Sequence, residues 1–179
     1  MITELHLRVK PQNNKAKGLF YTFFVLSFVL FALSYAFSAY RWISQMAAVG
    51  CLVTAILLYT KFISAIYFYE IMLDSSDVPV FVVRQQTGRR SVTLCRIALA
   101  DIVAIERQSR DEYRRHKTDA HKARYVYLPT LFPAVVYRLT VVNRYEAAEI
   151  FIEGSDEFAE HLKAASELSR TEYPREADE

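Results

Sequence analysis

A chain of 179 residues has room for one ordinary domain and an appendage, and a formal net charge of +2 is too small to suggest a nucleic-acid binder. Two cysteines, Cys51 and Cys95, build neither a disulfide framework nor a metal site. The apolar share of 53% averages two unlike halves, one of them free of charge over long stretches.

The opening segment, 1–17, carries Arg8, Lys10, Lys15 and Lys17. Within it, Leu5, Leu7 and Val9 alternate with Glu4, His6, Arg8 and Lys10. Over 2–10 that period of two suits an extra strand on a sheet edge, and the same residues also suit a basic leader.

Residues 18–40 hold no charge, and about 20 apolar residues at roughly 1.5 Å each cross a hydrocarbon core. The run contains twelve Leu, Val and Phe residues, worth on the order of −4 to −7 kcal/mol on insertion. The small residues at 36–39 suit a signal peptidase, but the run exceeds an ordinary signal core and a second apolar run follows at once. An uncleaved transmembrane helix is predicted over 18–40 and a second over 43–65. No ionisable residue sits at mid-membrane depth, which favours an anchor over an ion path. Small residues at Ala32 and Ala36, and at Ala47, Cys51 and Ala55, predict where the two helices pack.

Basic residues flank the first span on its N-terminal side, and only Arg41 lies between the spans. The positive-inside rule therefore predicts a two-span protein of the cell membrane with both termini cytoplasmic. Integral contact with membrane lipids follows. Nothing in the residues signals a particular oligomeric state.

After Ile66 the period changes to alternation. Strands are predicted in "IYFYEIMLD", "VPVFVVRQQ" and "RRSVTLCRI", with Thr87-Gly88 turning the hairpin, then in "DIVAIERQ", "ARYVYLPTLF", "AVVYRLTVVN" and "AEIFIE". "GSDEFAEHLKAASELS" predicts a helix capped by Ser155, with Phe158, Leu162 and Ala165 on its apolar stripe. Residues 170–179 form a polar tail.

A hairpin turn, a strand and a short crossing in "QTGRRSVTLCRIALADIVAIE", with a last strand running into a closing helix in "EIFIEGSDEFAEHL", give this half its character. It resembles the pleckstrin-homology (PH) superfold and is similar to bacterial PH-like membrane proteins that follow a transmembrane hairpin. The resemblance covers 66–169. It implies an α+β membrane protein: a two-helix hairpin, then a seven-stranded antiparallel sheet curled into a partly open barrel and capped by the C-terminal helix. Phosphoinositide-binding PH domains carry basic residues on the first inter-strand loop, where this chain has Asp74 and Asp77. Specific headgroup binding is therefore not implied.

No catalytic constellation stands out. His116 and His121 do not share a helix face, His161 lies beside Glu160, and there is no Gly-x-Ser-x-Gly, phosphate loop or His-Glu-x-x-His motif. The expectation is no enzyme, no cofactor and no metal. The polar run 109–125 offers Arg110, Arg114, Arg115, Lys117, Lys122 and Arg124 as contacts for lipid or a partner, with Asp111, Glu112 and Asp119 offsetting part of the charge. Nucleic acid is not expected there, and a solvated connection between two strands is the plainer reading. Two functions remain: a membrane-anchored adaptor whose domain binds a protein or peptide strand at the inner leaflet, and a sensor of anionic lipid.

Overall fold

The computed structural model describes residues 5–9, 14–37, 40–118, 121–143 and 147–172. The chain divides into two compact units, residues 11–65, and residues 1–10 together with 66–179.

The first unit is a helical hairpin of α1 (Asn14–Ala36) and α2 (Arg41–Phe62). Both helices are long and apolar enough to cross a membrane. They run antiparallel, since the rings of Phe20 and Tyr59 meet near one end and the Ser44 hydroxyl donates to the Leu30 carbonyl near the other, at 2.6 Å. Their outward surface is Phe, Leu, Val, Ile and Trp42, which water would penalise and lipid would not. The seam matches the expected one in part, with Ala55 buried and Cys51 half-buried on α2 as the small-residue spacing predicts, and differs elsewhere. Ser27 and Ser34 on α1 and Ala48 and Ala55 on α2 are buried, while Ala32, Ala36 and Ala47 are exposed. The buried set repeats every seventh residue, the period of a left-handed helix pair, rather than every fourth. Burying the two serines is cheap because their hydroxyls donate to the carbonyls of Phe24 and Phe31 on the same helix.

The second unit carries two four-stranded sheets and one long helix. The first sheet has the order β1-β2-β3-β4, from β1 (Leu5–Val9), β2 (Ala65–Leu73), β3 (Pro79–Thr87) and β4 (Arg90–Ala98). The N-terminal strand pairs antiparallel with β2, Leu7 opposite Tyr69 and His6 opposite Glu70. His6 and Arg84 flank the buried Glu70 carboxylate at 3.5 and 3.2 Å. The β3–β4 turn falls on Gly88 and Arg89, one residue later than the sequence suggests, because Thr87 is already paired with Arg90. Gly88 supplies the φ of +62° that the turn needs.

A 3₁₀ turn at Leu99–Asp101 leads into the second sheet, order β5-β7-β8-β6. Its strands are β5 (Ile102–Ser109), β6 (Lys122–Tyr127), β7 (Val135–Val142) and β8 (Ala147–Ile152). The expected all-antiparallel sheet is not what forms: β6 runs parallel to β8, Tyr125 opposite Ile150. A parallel pair needs a long crossover, and the intervening chain including β7 supplies it. The strands lie in two sheets and do not close a barrel.

Helix α4 (Asp156–Glu172) completes the core. The Ser155 hydroxyl caps it by accepting from the Phe158 N–H at 3.2 Å. Phe158 brings its ring to 6.2 Å from Tyr69 and 6.4 Å from Phe81, and Leu162 is fully buried. Beyond Leu162 the buried face continues through Ser166 and Ser169, while Ala165 is only half-buried. Small side chains there let the backbone approach its neighbours.

Candidate docking groove and basic strap

Among the described residues each sheet has two edge strands, β1 and β4 in the first and β5 and β6 in the second, and the edges that concern the site are β4 and β6. Both edges line one cleft of 760 Å³. Leu94, Cys95 and Ile97 contribute from β4, and Tyr125 and Tyr127 from β6. Val141, Ala148 and Ile150 also face it, with Arg96 and Asp101 as polar members.

The two tyrosine rings are parallel within 6°, at 6.4 Å, and form one broad aromatic wall. The Tyr127 hydroxyl donates across to the Leu94 carbonyl at 3.3 Å, and the Tyr127 carbonyl accepts from the buried Tyr69 hydroxyl at 2.7 Å. Burial, with Cys95 alongside, pushes the Tyr127 phenol up to about 12. Burial also pushes the Cys95 thiol up, so the sulfur stays protonated near neutral pH and is a poor nucleophile. Beside the cleft, Asp74 carries a carboxylate held below its usual range by the Ser75 N–H, with help from an ion pair to Arg96.

The opposite face of the second sheet bears the polar run. Instead of a solvated connection, Ser109 and Glu112 form a capping box that starts the six-residue helix α3 (Arg110–Arg115). The Glu112 carboxylate is held low by the Ser109 N–H, which donates to it at 2.6 Å. Tyr113 packs edge-on against Phe151 of β8 and joins a small cluster with Leu128 and Val136. After the helix, His116 donates to Glu149 at 2.7 Å and the Thr118 hydroxyl donates to the same oxygen at 2.9 Å. Arg138 stands 3.5 Å from the other Glu149 oxygen and pairs with Glu106. Glu149 is 3% exposed. Burial raises its pKa, but the His116 and Thr118 hydrogen bonds and the nearby His116 and Arg138 charges outweigh it and leave the carboxyl below 4.5.

The six basic residues of the run separate into two sets. Arg110 lies over the Phe132 ring at 4.9 Å, and Arg124 lies over Phe151 at 4.8 Å and Tyr113 at 5.3 Å. Lys122 is half-buried in β6. Arg114, Arg115 and Lys117 are exposed. The folded strap rests on His116, Thr118, Arg138 and Glu149, none of which sequence reasoning singled out for it. The available signal was one carboxylate in the otherwise apolar "AEIFI", which needs a partner if that strand is buried.

His161 is exposed on α4. No group of three His, Cys, Asp or Glu among the described residues could hold a metal ion. No protein-family model, curated protein or solved structure matches the chain.

Proposed function

We propose that this chain is a non-enzymatic, membrane-anchored adaptor. In this reading α1 and α2 span the cell membrane, and a PH-like domain over 66–169 meets its protein partner at the cytoplasmic face. The observation that carries it is the cleft between the β4 and β6 edges. An extended peptide can add to an unpaired strand edge through its main chain while alternate side chains enter the space beside it. Tyr125, Tyr127 and Ile97 supply apolar contact for those side chains. The protonated Cys95 supports binding over nucleophilic chemistry. Orientation has separate support: β1 precedes the first helix, β2 follows the second, and the two strands pair, so both ends of the hairpin belong on one side. The basic residues before α1 favour the cytoplasmic one.

The test places a photo-crosslinking residue at Tyr125, at Ile97 and, as a control, at Lys163 in the full-length chain in cells. Adducts from the two cleft positions that map to one extended segment of the same protein are expected, with none from Lys163. Equal adducts from all three, or none from the cleft, would remove the reading. A reporter fused after Glu179 that proves external would remove the cytoplasmic placement alone.

A further inference from the structure

The strap lies on the face of the second sheet that carries Phe151 and Glu149, whereas the cleft uses Ala148 and Ile150 of the same strand, which point the other way. The strap is therefore a separate surface. Its two described acidic residues are spent or set apart, and Asp119 lies outside the described residues. Glu112 is held in the capping box and Asp111 sits in the first turn of α3, the end where the helix dipole favours negative charge. Arg114 and Arg115 occupy the last turn, with Lys117 two residues beyond. These three side chains are exposed and have no ion-pair or hydrogen-bond partner among the described residues.

We infer that Arg114, Arg115 and Lys117 dock on the anionic headgroups of a lipid bilayer. The strap is stiff where it must be. The capping box fixes its start, Tyr113 pins its middle to Phe151, and His116 and Thr118 fasten its end to Glu149, so the backbone that carries the three cations needs no further ordering. The aromatic ring that could have stacked a nucleobase, Tyr113, is already covered by Phe151 and Arg124, which disfavours nucleic acid. A bilayer is the polyanion the chain itself points to, because the same chain carries two helices long enough to span one. Each basic residue near an anionic leaflet raises partitioning about fivefold, so three together give on the order of a hundredfold, lost at high salt. The inference rests on membrane insertion of α1 and α2 and not on the peptide cleft.

The experiment uses the full chain in nanodiscs of phosphatidylcholine, alone or with about one-third phosphatidylglycerol, and follows amide hydrogen exchange across 110–118. Flotation with pure phosphatidylcholine vesicles reports insertion separately. Exchange is expected to slow about fivefold or more in the anionic discs, to recover in about 0.5 M salt, and to be insensitive to lipid charge in R114A/R115A/K117A. The variant R114K/R115K should keep the protection, since charge and not guanidinium geometry carries it. Exchange across 135–142 verifies that each variant is folded. Equal exchange in both discs overturns the inference. So does protection that survives in the alanine variant, or protection produced in neutral discs by inorganic phosphate at matched ionic strength.

Discussion

The Nε2 of His116 and the Oε2 of Glu149 lie 2.7 Å apart, joining the polar run just past α3 to the middle of β8. This one bond, with Thr118 beside it, turns a run of charges into a folded strap. The carboxylate it uses is buried, so the strap and the charge depend on each other.

Glu149→Gln keeps the shape and removes the charge. A loss of about 2–3 kcal/mol at neutral pH is expected, since Arg138 is left beside a neutral partner. The pH dependence has a definite sign. The folded carboxyl titrates below 4.5, so its contribution is fully present above that value and disappears as pH falls through the folded pKa. Denaturant melts from neutral to acid pH should show a shallower acid decline in the variant than in the wild type.

Tyr69→Phe removes a fully buried hydroxyl whose acceptor is the Tyr127 carbonyl. That carbonyl is then unsatisfied by Tyr69, at a cost of about 1–2 kcal/mol. Phe81→Ala, which empties the space between Tyr69 and Phe158, should cost about 3–5 kcal/mol. Equilibrium unfolding in one detergent ranks the two, and the reverse order would contradict the packing described.

Tyr127 should ionise near 12, well above an ordinary phenol at 10. Subtracting the alkaline absorbance titration of Tyr127→Phe from that of the wild type isolates this group. For a phenol with a raised folded pKa, the associated stability is present below 10 and is lost as pH rises through 12. A transition at 10 would mean that the ring is not buried beside Cys95.

Ala55→Leu should separate the hairpin helices. Ala55 is fully buried between them, and a larger side chain has no room without displacing the seam. A destabilisation of about 1–3 kcal/mol is expected in detergent. Ala47→Leu, at an exposed position on the same helix, is the control and should be neutral.

The helices and most strands were legible because each depends on a local period. Long uncharged runs produced α1 and α2, alternation produced the strands, and Ser155 before an amphipathic stretch marked α4. What escaped depended on distant partners. The parallel pairing of β6 with β8 cannot be heard in either strand alone, since each alternates as it would in an antiparallel sheet. The α1 side of the hairpin seam escaped for a related reason, although Ala55 on α2 was legible: several spacings of small residues were available, and Ser27 and Ser34 looked polar until their hydroxyls found their own helix carbonyls. Helix α3 was hidden by its charges, although Ser109 and Glu112 stand three apart as a capping box requires. The exposed set of Arg114, Arg115 and Lys117 could be named from sequence, but not that Arg110 and Arg124 cover aromatic rings.

The parallel pairing also orders events in time. Translation delivers β6 some twenty residues ahead of β8, the only strand that holds it among the described residues. Until Ala147–Ile152 leaves the ribosome, Lys122–Tyr127 has no strand to zip onto, while the hairpin helices, synthesised first, are already available for insertion. Closing the second sheet is thus a late, non-local step, slow by the entropy of joining distant segments. The unfinished chain exposes Tyr125, Val126 and Tyr127 throughout that interval, which makes this short segment the point where a stalled or truncated product would be most prone to aggregate.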